Sequence, residues 1–280
     1  MIYYFRKSKI LYITLSALWV VGMVSANVVQ QIVNPQGEIP LLLETLILIA
    51  GFVGIFYLCS WVASQEQKRV MDILNEECDP EHFAEVCSRM AEEAKKPQLK
   101  ALFEGNVAVG YIAGGRADEA VGLLTRNVLP ETDFNAVSNN NILYSNLCSC
   151  CLDKRDLNGA EFYLQKMAEQ KSKIPYNGAY FQTMADVYEN LLRRIDCLKG
   201  NYAPNLPFFE QKYASAPNKY MKAVSAYRAA EICSRMGESE KMREYCAYVI
   251  QNGNKLAVVH MAAELLDRSY RAQKPAETTA

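Results

Sequence analysis

Cysteines are the residues in this chain best suited to chemistry. There are nine, and Cys148, Cys150 and Cys151 lie within four positions of one another. Thiolates at such short spacing can bind zinc, but a zinc site needs four ligands, and no second cysteine pair or suitable histidine pair follows. The odd number of cysteines, mostly at core-like helical positions, instead predicts reduced thiols that fill a helical core in a reducing compartment.

Other reactive side chains are scattered. The two histidines, His82 and His260, are far apart, and neither has a serine or cysteine nearby in a nucleophile pattern. A Cys78, His82, Cys87 grouping is an equally weak metal site, because His82 is expected on the solvated side of a helix start. Glycine-rich phosphate loops followed by lysine are also missing. The sequence therefore predicts no enzyme, no cofactor and no metal site.

The elements that surround these residues begin with two apolar segments. Residues 10–29 are uncharged, and residues 41–63 contain a single charge, Glu44. Each is long enough to cross about 30 Å of hydrocarbon as a helix, which predicts a two-helix membrane anchor over residues 1–64. Because Val24-Ser25-Ala26 resembles a cleavage site, a signal peptide is the alternative for the first segment.

The position of Glu44 leaves two interpretations open. Three residues into its segment, the carboxylate can lie at the headgroup level. The alternative is a proton or ion site inside the membrane, which would belong to a membrane enzyme or a transport-complex subunit that uses Glu44 or the cysteines.

The flanking charges predict an orientation. The linker over residues 30–40 contains no lysine or arginine and has the proline and glycine residues of a turn. Cationic residues flank the membrane on its cytoplasmic side, which predicts that both termini and the rest of the chain are cytoplasmic. The cations that carry this prediction are Arg6, Lys7 and Lys9 before the first segment and Lys68 and Arg69 after the second.

The remaining sequence has the composition of a soluble helical domain. The whole chain contains 30 Lys and Arg against 31 Asp and Glu, a net charge of −1, so no basic excess indicates nucleic acid. Apolar residues at helical spacing predict helices over residues 65–272, of which one begins at Asp79-Pro80. The tail, residues 273–280, is predicted to be disordered.

Residues 102–130 contain the clearest helical hairpin. Apolar residues at 102, 107, 109, 111 and 112 form one stripe, and Ala120, Leu123, Leu124 and Val128 form another after a break. Gly114 and Gly115 supply the backbone freedom of a tight turn. Two antiparallel helices are expected, which cross most closely at Ala120.

This hairpin resembles the tetratricopeptide repeat. Tyr111, Gly115, Arg116 and Ala120 match the family's aromatic, turn and small-residue positions, and Pro130 falls two residues before the family's proline. The sequence departs from the pattern at Glu104, where the family has an early aromatic. The resemblance implies an all-α solenoid of antiparallel helix pairs on the cytoplasmic side.

Further copies follow the first. Residues 141–167 repeat the hairpin with Ala160 in the place of Ala120, an offset of 40 residues compared with the usual repeat of about 34. Residues 180–214 are expected to form a degenerate third pair after a break at 174–177. A fourth pair turns at Met236-Gly237, and its second helix is expected to bury Tyr245, Val249 and Ile250. A last helix from about residue 255 to 271 would cover the end of the stack.

The resemblance also implies a function and a site. In this family the first helices of the repeats line a groove that binds a segment of another protein. We therefore expect a membrane-anchored, non-enzymatic adaptor or scaffold, with a protein or peptide as its partner and with the lipid bilayer holding its anchor. A groove filled by the chain's own loops, and a self-assembling structural membrane protein, are the alternatives. The groove positions map onto Val109, Ile112, Ser145, Ser149, Leu152, Tyr227, Glu231 and Arg235.

Overall fold

The computed structural model describes residues 2–33, 41–130, 134–173 and 178–273, and within these ranges it contains helices and no strand. The expected all-α fold class is confirmed. The predicted linker turn at 34–40, the break at 174–177 and the disordered tail beyond Gln273 lie outside the described residues. The helices are α1 (Ile2–Val33), α2 (Leu41–Asn75), α3 (Pro80–Glu93), α4 (Pro97–Ala113), α5 (Ala117–Arg126), α6 (Phe134–Asp153), α7 (Leu157–Lys171), α8 (Ala179–Leu198), α9 (Leu206–Ala214), α10 (Lys219–Met236), α11 (Ser239–Asn252) and α12 (Ala257–Gln273).

The two apolar segments form α1 and α2, and both helices are longer than the predicted spans. Each is long and apolar enough to cross a membrane. Within this N-terminal unit the Trp19 ring lies directly against Gly51, in the space that a side chain at position 51 would fill. The Trp19 indole N–H donates to the Leu48 carbonyl oxygen at 3.4 Å. Glycine at position 51 therefore permits the close approach of α1 and α2.

The chain divides into two compact units between Met71 and Asp72. In the second unit, α3 begins as predicted, because the Asp79 carboxylate accepts a hydrogen bond from the His82 backbone N–H and Pro80 takes the first helical position. Helix α4 packs more extensively on α3 than on α5. Helices α3 and α4 approach closely at Gly110, where a Cβ would lie 2.8 Å from the Pro80 carbonyl oxygen.

The α4–α5 hairpin has its turn at the predicted position. Gly115 has a φ of +81°, the left-handed conformation that favours glycine, and Ala120 is fully buried as expected. The prediction of a buried apolar stripe is wrong for two residues. Leu102 is 46% exposed, and Val128, beyond the end of α5, is 36% exposed. The adjacent Phe103 is buried instead of Leu102.

The pairs α6–α7 and α10–α11 form helical hairpins at the predicted places. Asp156 caps α7 by accepting a hydrogen bond from the Gly159 backbone N–H. Gly237 ends α10 with a φ of +79°. In α11, Val249 is fully buried, but the expectation for Ile250 is wrong because this side chain is 40% exposed.

The expected third pair is only partly present. Helices α8 and α9 occur, but α9 packs mainly on α10, whereas α8 packs on α6 and α7. The short α9 has nine residues, too few to cover α8 along its length. An ion pair between Lys212 and Asp186, 3.1 Å apart, connects α9 to α8 at the surface.

The second unit closes on itself. The Lys255 backbone N–H donates to the Cys78 carbonyl oxygen at 3.2 Å, and the Lys255 ammonium lies 2.6 Å from the Asp79 carboxylate. Beside them, the Ala257 side chain contacts the α4–α5 turn at Gly115. The segment before the last helix therefore contacts the start of α3 and the α4–α5 turn. In the open stack that the sequence predicts, the last helix would cover the far end.

Candidate functional site

Two cavities lie on the inner side of the second unit. The larger has a volume of about 570 Å³ and the smaller about 340 Å³. Helices α6, α8, α10 and α12 contribute side chains to both, and α4 adds a wall to the smaller one. Asp153, Arg194, Arg228 and Met261 line both cavities, so these four residues mark the place where the cavities adjoin.

Seven of the eight predicted groove residues line these cavities. Four of them, Leu152, Tyr227, Glu231 and Arg235, line the larger cavity. Val109, Ile112 and Ser149 line the smaller. Ser145 lines neither: its side chain is buried, and its hydroxyl donates to the Ile142 carbonyl oxygen at 2.7 Å.

Helix α12 forms part of the wall of both cavities. Met261 lies in both, and Leu265 and Arg268 line the larger one. The last helix is expected to cover the end of the stack, and α12 in addition lines both cavities. Because α12 follows the closure at Lys255, the inner surface is enclosed by helices from both ends of the second unit.

Three charged residues, Asp153, Arg194 and Arg228, lie where the cavities adjoin, and Glu231 lies beside them in the larger cavity; we call these four residues the charged cluster. One Asp153 carboxylate oxygen accepts hydrogen bonds at 2.8 Å from both Arg194 and Arg228. Arg228 also lies 2.8 Å from Glu231. The side chains of Arg194 and Arg228 are only 13% and 17% exposed. Two carboxylates therefore neutralise two poorly hydrated guanidinium groups.

The pKa values of the two arginines in the charged cluster are shifted in opposite directions. Desolvation by burial, and then repulsion from Arg228, lower the pKa of Arg194 to about 10. Desolvation acts on Arg228 as well, but attraction to Glu231 and Asp153 outweighs it and raises the pKa of Arg228 above its usual value. The difference arises because Glu231 pairs directly with Arg228 alone. Both groups remain cationic at neutral pH.

Sequence reasoning missed Asp153, Arg194 and Arg228. A usable signal exists for Arg194, since it follows Leu191 and precedes Ile195 and Leu198 at the spacing of a core stripe. A charged residue on such a stripe must have a partner, and here the partners are Asp153 and Ser149. No comparable signal marks Asp153, which the sequence places in an ordinary inter-helix turn.

The cysteines show no reactive arrangement. All nine lie in described residues, and none forms a disulfide. Burial raises the pKa values of Cys87, Cys148 and Cys150 to about 12, so these thiols are protonated and weakly nucleophilic at neutral pH. In the part of the chain that the structure describes, no group of three or more His, Cys, Asp or Glu side chains could hold a metal ion.

The described residues thus define an all-helical protein with two long apolar N-terminal helices and a helical unit that encloses two cavities. Comparison with protein-family models, with curated proteins and with solved structures finds no match for this chain.

Proposed function

We propose that this protein is a membrane-anchored, non-enzymatic adaptor that holds a segment of a partner protein in the larger cavity, on the cytoplasmic side. The single observation that carries the proposal is this cavity of about 570 Å³, which side chains from successive helical pairs line together. Apolar side chains such as Leu152, Phe209 and Met261 alternate in its wall with charged ones. A surface of this kind suits a segment with both apolar and polar side chains.

The N-terminal helices support the membrane anchor. Large apolar side chains along both helices are exposed, including Ile13 at 54%, Leu18 at 62% and Ile49 at 53%. Exposed apolar surface of this extent is unfavourable in water and favourable in lipid. Cations near the start of α1, at positions 6, 7 and 9, and at Lys68 and Arg69 near the end of α2 favour the cytoplasmic placement of both termini, according to the positive-inside rule.

A repeated turn supports the relation to tetratricopeptide repeats. Helices α4, α6, α8 and α10 end with the same two backbone hydrogen bonds. The residue in the left-handed conformation donates three positions back, and the next residue donates five positions back. The residues in that conformation are Gly115, Arg155, Gly200 and Gly237. Four copies of one turn are consistent with a repeat, although the closure at Lys255 is unlike an open superhelix.

Site-specific photocrosslinking tests the adaptor function. A photoreactive amino acid at Ser234, which is exposed and lines the larger cavity, should give a discrete adduct with one protein in intact cells. The matched control is Glu240, which is exposed on α11 and does not line the cavity. Equal adducts at both positions, or none at Ser234, would contradict the proposal.

A separate experiment tests the orientation. Because most native cysteines are buried, labelling them would report folding rather than topology. Glu92 is exposed on α3, so a Glu92→Cys variant provides an accessible thiol. A membrane-impermeant maleimide should label this thiol only after the cells are permeabilised, and labelling of intact cells would reverse the assigned orientation.

A further inference from the structure

The wall of the larger cavity has an excess of positive charge. Five arginines line it, compared with three carboxylates. Asp153 and Glu231 already pair with Arg194 and Arg228 in the charged cluster. The third carboxylate, Glu264, lies 3.1 Å from His260 on its own helix. The three other arginines, at 155, 235 and 268, therefore have no carboxylate partner within the described residues.

Arg155 stands out among these three because of its backbone. Its φ is +58°, the left-handed conformation, and it takes the turn position that Gly115 and Gly237 take in the other two hairpins. A residue with a side chain costs about 1 kcal/mol more than glycine in this conformation. The chain accepts this cost at an exposed residue that lines the cavity. Backbone strain of this kind is concentrated at functional sites.

The arginines of the larger cavity differ in how deeply they are buried. Arg194 and Arg228 are largely buried and neutralised in the charged cluster, whereas Arg155, Arg235 and Arg268 are exposed residues at the wall. Arg268 makes one side-chain hydrogen bond, from its Nε to the Glu264 backbone carbonyl oxygen at 3.3 Å, which leaves the rest of its guanidinium free to bind. An anionic group at this wall could pair with one of these three arginines without displacing an existing ion pair.

We propose that the larger cavity is an anion-binding site that takes carboxylate side chains of an acidic segment in the partner protein, with Arg155 and Arg235 as its principal ligands. This inference rests on the proposed adaptor function, because it names the chemistry of the partner segment. The apolar residues in the same wall favour a segment in which acidic and apolar residues alternate, over a free inorganic anion.

The test uses the full-length chain in nanodiscs of neutral lipid and follows the fluorescence anisotropy of a labelled peptide in which glutamate alternates with leucine. The same peptide with glutamine in place of glutamate is the control ligand. We expect the glutamate peptide to bind at least about tenfold more tightly than the glutamine peptide, and each of Arg155→Gly and Arg235→Gln to weaken its binding by about tenfold. The control variant Arg271→Gln removes one charge from α12 at an exposed residue outside the cavity, paired with Asp267, and should leave binding unchanged.

Arg155→Gly gives the sharper result, because binding and stability should change in different directions. Glycine relieves the left-handed backbone, so the melting temperature should stay the same or rise while peptide affinity falls. A lowered melting temperature would indicate that Arg155 has a structural role and would overturn the assignment. Equal binding of both peptides, or equal binding by wild type and both cavity variants, would also overturn it.

Competition and crosslinking distinguish the remaining outcomes. If inorganic phosphate or citrate displaces the peptide at matched ionic strength as effectively as unlabelled peptide does, the site takes free anions and the protein-segment assignment is wrong. If the crosslink at Ser234 persists in Arg155→Gly, the adaptor function stands and the acidic-segment inference fails. Loss of that crosslink in Arg155→Gly, with Arg271→Gln unaffected, supports both.

Discussion

The α3–α4 crossing offers a prediction whose magnitude follows from the structure. At Gly110 a Cβ would lie 2.8 Å from the Pro80 carbonyl oxygen and 2.9 Å from the Ala84 Cβ, whereas ordinary contact begins at 3.4 Å. In a Gly110→Ala variant, α3 would therefore have to move away by about half an ångström. Overpacking of a close crossing costs about 1–3 kcal/mol.

Gly105 provides a control on the same helix. A Cβ there would have only the Leu143 side chain nearby, at 3.9 Å, so Gly105→Ala should stabilise α4 by up to about 1 kcal/mol through helix propensity. Gly110→Ala gains the same stabilisation from helix propensity, but it also carries the free-energy cost of overpacking. The two variants should thus differ by about 2 kcal/mol, with Gly110→Ala the less stable.

Thermal unfolding of the full-length chain in detergent, followed by far-UV circular dichroism, measures this difference. For a domain of this size, a difference of 2 kcal/mol corresponds to about 4–8 °C in melting temperature. If both variants raised the melting temperature by the same amount, the α3–α4 crossing would not be as close as described, and the reasoning would be refuted.

Four further predictions concern other parts of the chain. Asp153→Ala leaves two adjacent guanidinium groups without their shared acceptor, and we expect thermal unfolding to show a loss of about 2–3 kcal/mol, towards the low end for a partly exposed site; a loss below about 0.5 kcal/mol would mean that solvent already screens the cluster. Desolvation raises the pKa of the Asp79 carboxyl, but hydrogen bonds from Lys255 and from the His82 backbone N–H outweigh it and hold the pKa below its usual value. The lowered pKa means that Asp79 contributes stability above about pH 4, which is lost as the pH falls through the folded-state pKa; Asp79→Asn should lose this acid-dependent part, and an unchanged pH profile would contradict it. Gly51→Val forces the Trp19 ring away and should reduce crosslinking between cysteines introduced on α1 and α2, whereas Gly54→Val, which meets open space, should not. The Cys148 thiol, fully buried and with its pKa raised to about 12 by desolvation, should react with maleimide only as fast as the second unit unfolds, and fast labelling of the native protein would contradict its burial.

Local features of this fold could be predicted from the sequence because each depends on a few neighbouring residues. Asp79-Pro80 carries a complete helix-start signal, and the structure has the cap and the proline in those positions. Gly115 and Gly237 mark turns that need a left-handed backbone. The positions on α10 that the resemblance to tetratricopeptide repeats implied as a groove, Tyr227, Glu231 and Arg235, line one cavity.

Features that depend on distant parts of the chain could not be predicted. Leu102 and Ile250 fit the apolar spacing, yet they are exposed, because the neighbouring helix determines which side of a broad stripe is covered. Arg155 has no local signal at all, since glycine is the residue that its turn would favour. The pairing of Lys255 with Asp79 joins positions separated by 176 residues, and no periodic pattern contains that information.

The closure at Lys255 has a consequence for biosynthesis. Because the chain is made from its N-terminus, α3 and α4 emerge from the ribosome long before the segment that completes them at Cys78 and Asp79. The entropy lost on joining such remote positions grows only slowly with their separation. The time before these contacts form is therefore set by the synthesis of the intervening residues, and not by the closure of the long loop. A nascent chain therefore lacks the Lys255 contacts until its last part is made, and a chain truncated before residue 254 would never form them.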